Sequence, residues 1–205
     1  MSAKTDNTRK TLVNAAIDLV AEVGLESFTT KALAKKAQLA EGSLYNYFEN
    51  KDELLAAAFI KVDKEIAAMF EGYSDKVDQL LADKVNTTEV MWRMYYHYMI
   101  DHPNNTLFYS SFKASPRYNE DIMAEQAVYF KDFSSVIKGA DKEVGLFRAV
   151  QGPVLWTFTL NTATTFVGMI IRGELPNTKE TEDQIWSLIS RGVDGLIDDL
   201  EKKKC

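Results

Sequence analysis

With 205 residues, 46% hydrophobic and 26% charged, the chain suits one domain or a small domain joined to a larger one, and it is too apolar to be disordered. Four prolines and ten glycines exclude collagen-like, low-complexity and many-stranded turn-rich architectures. The net charge of −6 is unevenly spread: Met1–Phe48 carries +1 and the remainder −7, so an acidic body that a polyanion would avoid follows a neutral-to-basic head.

Met1–Lys10 is polar and reads as no signal peptide. From there the hydrophobic period is helical nearly throughout, with no convincing strand alternation. Leu12, Ala16, Leu19 and Val23 share one face, flanked by Val13, Ile17 and Val20, and Gly24 supplies the stop. Thr29 is an N-cap for a short second helix ending at Ala37, with Phe28 and Leu33 placed as a hydrophobic staple. After Gln38-Leu39-Ala40 the pattern predicts a third short helix, Glu41–Phe48. Asn50 caps a long helix reaching Gly72, with Glu53 completing a capping box and Leu55, Phe59, Val62, Ile66 and Phe70 facing inward.

Beyond Gly72, helices are expected near Thr87–His102, Asn104–Phe112, Asn119–Lys138, Glu143–Arg172 and Lys179–Lys203, with Pro153 kinking the fourth. No apolar run approaches the roughly 18 residues of a membrane span. The single cysteine, Cys205, allows no disulfide framework or cysteine zinc site within one chain. The expectation is a cytoplasmic, all-α protein without a membrane partner. Its N-terminal three-helix domain, residues 1–50, would be a DNA-binding helix-turn-helix. Residues 51–205 would form a larger helical domain for ligand binding and dimerisation.

The head's chemistry lies on Glu41–Phe48. At 100° per residue, Leu44 and Phe48 point inward while Gly42, Ser43 and Asn46 form the opposite crest, with Tyr45 and Tyr47 on its shoulders. Such a helix suits a major groove. Gly42 permits close approach, Asn46 can pair bidentately with adenine, Ser43 can donate or accept, and the phenols can reach phosphates. Lys51 opens a helix, where the macrodipole disfavours a cation unless a phosphate lies there on free backbone N–H groups; Thr30 and Lys31 stand likewise at the second helix. Taken singly, each of these residues would serve equally as a solvated surface residue; their joint spacing carries the reading.

The segments Phe28-Thr29-Thr30-Lys31-Ala32-Leu33-Ala34-Lys35-Lys36-Ala37 and Gly42-Ser43-Leu44-Tyr45-Asn46-Tyr47-Phe48-Glu49-Asn50-Lys51-Asp52-Glu53-Leu54-Leu55 closely resemble the head of TetR/AcrR-type transcriptional regulators. Ala15-Ala16-Ile17-Asp18-Leu19 and Val23-Gly24 fit that family's first helix. The resemblance covers about residues 6–66, with the helix-turn-helix at about 29–48; the body fits in helix count and length. It implies that Thr30, Lys31, Ser43, Tyr45, Asn46, Tyr47 and Lys51 touch DNA. Gln38 stands where a turn glycine is usual, and Ala40 where a capping serine or threonine is usual. The implied function is a ligand-responsive repressor, dimeric on a palindromic operator.

The body offers no nucleophile elbow, phosphate loop or paired carboxylates, so no catalytic residue is nominated and no cofactor is expected. His97 and His102 are five apart, pointing away from each other on a straight helix, and no metal site is expected. Aromatic residues crowd the expected helices. Trp92, Tyr96, His97, Phe112, Phe130, Trp156 and Asn161 are candidate walls of a pocket for a small apolar or aromatic effector, uncharged or weakly cationic. The same residues could simply pack a core. Effector binding in this half is also what the resemblance implies. On the last helix, Ile185, Ile189 and Leu196 belong to an apolar stripe suited to a four-helix homodimer interface, or to packing within one chain. A different class of reading is a ligand-binding or small-molecule-modifying helical protein whose helix-turn-helix serves only packing or partner binding.

Overall fold

A computed structural model of the chain describes residues 3–74, 87–131 and 151–202, and every regular element among them is helical. The helices are α1 (Ala3–Val23), α2 (Thr30–Ala37), α3 (Lys51–Ser74), α4 (Thr87–Asp101), α5 (Pro103–Lys113), α6 (Glu120–Tyr129), α7 (Gly152–Trp156), α8 (Thr162–Ile171) and α9 (Lys179–Lys202). A four-residue 3-10 turn, Ser43–Asn46, lies between α2 and α3, and a π-helical stretch, Thr157–Asn161, joins α7 to α8. The contacts divide the chain into two compact units: Met1–Glu65 with His102–Tyr129, and Ile66–Asp101 with Phe130–Cys205. The boundary therefore falls inside α3, which belongs to both.

In the first unit α1 packs on α2 and α5. Leu12, Ala16, Leu33, Leu44, Phe48, Leu54, Leu55 and Phe108 fill its core, as the helical spacing requires. Phe59 from α3 stacks on Tyr109 and Phe112 of α5, with ring centroids 4.9 and 4.7 Å away. In the second unit α4 packs on α8, the π stretch and α9. Tyr95 shares a buried 2.7 Å hydrogen bond with Thr164, and Arg93 holds α4 to α9 through Glu182 and Asp183.

Three expectations need correction. The predicted helix Glu41–Phe48 is only a 3-10 turn at Ser43–Asn46. Gly42 gives it no side-chain cap, and the amides of Gly42 and Ser43 bond back to the Ala40 carbonyl, both at 3.0 Å. With no hydroxyl at Ala40, nothing offsets the cost of nucleating so short an α-helix. Pro153 does not kink the middle of a helix: α7 begins at Gly152, which puts the proline in the first turn, where a missing N–H is tolerated. Its predicted upstream part, residues 143–150, and the predicted end of α6, residues 132–138, lie outside the described residues.

The third correction concerns apolar length. Val154–Ile171 is 18 residues long with mean hydropathy 1.4, which meets the length and apolarity of a span even though its threonines interrupt any continuous run. A third of it is buried, and Leu155, Leu160, Ala163, Val167 and Ile170 face the core of their own unit. Its hydroxyls bond back along the helix, Thr159 to the Leu155 carbonyl and Thr164 to the Leu160 carbonyl. That is how a core helix carries threonine.

Two local features have measurable consequences. Gln38, the C-cap of α2, adopts the left-handed conformation (φ 55°, ψ 41°), while the amide of Leu39 reaches the Ala34 carbonyl at 2.9 Å. This is a Schellman-type stop made without glycine. Relieving the strain with Gln38→Gly is expected to stabilise the chain by about 0.5–1 kcal/mol, read as a higher urea midpoint.

Asp63 on α3 is wholly buried. Its Oδ1 accepts from Tyr109 of α5 at 3.0 Å and from Gln126 of α6 at 2.8 Å. Burial pushes its pKa up to about 6, against the pull of those two hydrogen bonds and of Lys113. Because the folded pKa lies above the unfolded one, the native state binds the extra proton between about pH 4 and 6. Stability should therefore fall by about 1–3 kcal/mol as pH rises through that window. Asp63→Asn is expected to flatten this slope in urea titrations; an unchanged slope would exclude Asp63 as its source.

Candidate functional site

The candidate surface is built from two cappings and one tight turn. Thr29 Oγ1 accepts the Ala32 amide at 3.2 Å, which fixes the start of α2 and leaves Thr30 half-buried and Lys31 exposed. Asn50 Oδ1 accepts the amides of both Asp52 and Glu53 at 2.9 Å, and Glu53 reaches back to the Glu49 amide at 2.6 Å, which fixes the start of α3. Between them, Leu44 and Phe48 anchor the 3-10 turn in the core.

This anchoring decides what faces solvent. Tyr45 is 60% exposed, Asn46 and Gly42 are exposed, and Ser43 and Tyr47 are half-buried. A Cβ added at Gly42 would meet nothing within 4 Å, so the protein's own packing does not call for a glycine there. Thr30, Gly42 and Tyr45 line one small cleft with Leu39, Ala40 and Glu41. The structure thus brings together the start of α2 and the 3-10 turn, the two clusters nominated from sequence.

Lys51 is the exposed first residue of α3. The amides behind it at Asp52 and Glu53 are already taken by Asn50, so an anion held there must rely on the lysine ammonium rather than on those N–H groups. The sequence reading missed Arg9. Its guanidinium lies 4.7 Å over the Phe48 ring, exposed and with no carboxylate partner among the described residues. Held by a cation–π contact beside the 3-10 turn, it adds an exposed positive charge to this face. Nothing in helical spacing marks Arg9 and Phe48 as neighbours.

The effector candidates do not form one group. Phe112 lies in the first unit, buried against Phe59 and Phe108. The others lie in the second. Trp92 and Tyr96 are buried and stacked with centroids 5.2 Å apart, and Phe130 meets Trp156 edge-on at 5.3 Å. His97 is exposed with Nε2 3.4 Å from Glu182 Oε1, and Asn161 sits half-buried in the π stretch. His102 precedes α5, where its carbonyl accepts from the amide and hydroxyl of Thr106. Among the described residues no group of three His, Cys, Asp or Glu side chains could hold a metal ion.

The dimer stripe is also rearranged. Ile185 and Ile189, expected to face a partner, are buried within their own chain, at 4% and 2% exposure. The Leu196 side chain lies outside the described residues. What the helices of this unit leave outward is Leu188, 67% exposed, together with Val154 and Phe158. A Cβ at Gly192 would fall 2.6 Å from Phe158 Cζ, so the missing side chain is what lets that ring lie against α9.

Residues 12–58 match the family model described as bacterial regulatory proteins, tetR family. An uncharacterized HTH-type transcriptional regulator of Haemophilus influenzae is 25% identical over 169 residues, covering 78% of this chain and 81% of that protein. Among solved structures, a TetR family transcription regulator from Marinobacter aquaeolei has a TM-score of 0.72 at 21% identity, covering 92% of this chain and 96% of that one. A Bacillus subtilis transcriptional regulator, FadR, solved with stearoyl-CoA, has a TM-score of 0.56 at 16% identity, covering 88% and 95%. The last two likenesses speak to fold alone.

Proposed function

Given that the chain belongs to the TetR family of transcriptional regulators, we propose that it works in the cytoplasm as a homodimeric repressor. It binds a palindromic operator through Thr30, Lys31, Gly42, Ser43, Tyr45, Asn46, Tyr47 and Lys51. The observation that carries this reading is the outward face of the 3-10 turn, where small, amide and phenol side chains are exposed while the apolar ones anchor the turn. Two such turns, one per protomer, would enter successive major grooves about 34–36 Å apart.

The homodimer reading is supported by the apolar residues left outward at Val154, Phe158 and Leu188. Effector control is supported by the aromatic pairs of the second unit, Trp92 with Tyr96 and Phe130 with Trp156. Since α3 belongs to both units, a ligand that shifts its second half would alter the spacing of the paired heads. A coupling of about 1–3 kcal/mol, a 5–150-fold change in affinity, would be enough to release the operator.

Selection of binding sites from a random DNA pool tests the reading directly. A palindromic consensus is expected, and recovery of no consensus would refute it. Asn46→Ala should lose about 1–3 kcal/mol of discrimination at one position per half-site. Lys51→Ala should weaken all sequences alike and lower the salt slope by about one unit per half-site, as read from titrations at several salt concentrations. Leu188→Glu should sediment as a monomer and lose full-operator binding while the helical circular dichroism of the heads persists. A monomer with wild-type operator affinity would contradict the dimer.

A further inference from the structure

Among the described residues three buried side-chain polar atoms have no hydrogen-bond partner: Asp63 Oδ2 in the first unit, and Trp92 Nε1 and Tyr96 OH in the second. The last two belong to one stacked pair, a helical turn apart on α4, with exposures of 1% and 2%. Their surroundings are otherwise satisfied. Tyr95, next along the helix, shares its hydroxyl with Thr164, and Arg93 is engaged by Glu89, Glu182 and Asp183. Buried donors are normally paired, so two orphans on adjacent rings call for an acceptor that the described residues do not supply.

We propose that Trp92 and Tyr96 form the polar end of an effector site for an uncharged aromatic carbonyl compound, a ketone, ester or amide, whose oxygen accepts from these donors. The proposal rests on the effector reading above and narrows it to a ligand class. An indole N–H can only donate, so the ligand group must accept, which excludes a protonated amine as the recognised end. A carboxylate is disfavoured for a separate reason. The Arg93 guanidinium already serves three carboxylates, one of them the buried Glu182, whose negative charge acts on Tyr96 and opposes a second anion there. Burial and Glu182 both push the Tyr96 phenol above its ordinary pKa, which keeps it a donor. Trp186 adds a third ring, its centroid 5.3 Å from that of Trp92, and such a cluster favours an aromatic ligand body.

The test uses the full chain and three probes of one shape: acetophenone, ethylbenzene and benzoate, titrated by ligand-observed NMR. Acetophenone is expected to bind at least tenfold more tightly than either of the others. Tyr96→Phe and Trp92→Phe should each erase most of that preference while leaving ethylbenzene binding within twofold. Tyr96→Phe should also melt no lower than wild type, because it removes a hydroxyl that has no partner; a lower Tm would overturn the proposal. Should Trp92→Phe fail to fold, Tyr96→Phe alone decides. If ethylbenzene or benzoate binds as well as acetophenone, or the preference survives Tyr96→Phe, the carbonyl assignment falls while the effector reading stands. If none of the probes binds, the assignment falls; if in addition no aromatic compound releases the selected operator, the effector reading falls with it.

Discussion

The start of α3 is the constraint on which the rest depends. Asn50 Oδ1 takes the amides of Asp52 and Glu53, and Glu53 takes the Glu49 amide, so the chain can leave the 3-10 turn and enter a 24-residue helix at one defined residue. That point sets the exposed faces of Tyr45 and Asn46 upstream and the inward register of Leu54, Leu55, Phe59 and Asp63 downstream. A one-residue shift in the start would rotate the helix by about 100° and turn that inward set out of the core.

The same helix carries the main internal tension of the first unit. Phe59 and Asp63, one turn apart, meet α5 through stacked rings and a buried hydrogen bond. The stacking favours a dry environment, and the carboxylate pays for it with a raised pKa. Lys113 eases the tension electrostatically, its charge drawing the Asp63 pKa down against burial. Its ammonium lies over the faces of Tyr109 and Tyr118, at 5.4 and 5.2 Å, where burial lowers its own pKa. A site of this kind favours reduced charge on both groups, and Asp63 lies near the end of the part of α3 that belongs to the first unit.

Much of the head was legible because short-range chemistry determines it. Thr29 and Asn50 cap as their residue types demand, and the apolar spacing of α1 and α3 names their buried faces. The 3-10 turn was not legible as such, since hydrophobic period does not distinguish a missing cap at Ala40 from a formed one. On α9 the apolar stripe was visible, but the partner of each residue was not: Ile185 and Ile189 turn inward and Leu188 outward, a choice made by α4 packing beside it. Asp63 and the orphaned donors of Trp92 and Tyr96 are invisible to spacing, because burial and satisfaction are properties of the assembled unit.

The central claim is that the α2 start and the 3-10 turn, rather than any other surface, read DNA. Amide hydrogen exchange of the full chain, with and without its selected operator, tests this most directly. Slowed exchange is expected at Thr30, Lys31, Gly42 to Tyr47 and Lys51. Unchanged exchange there, with protection appearing instead on α6 or α9, would contradict the account.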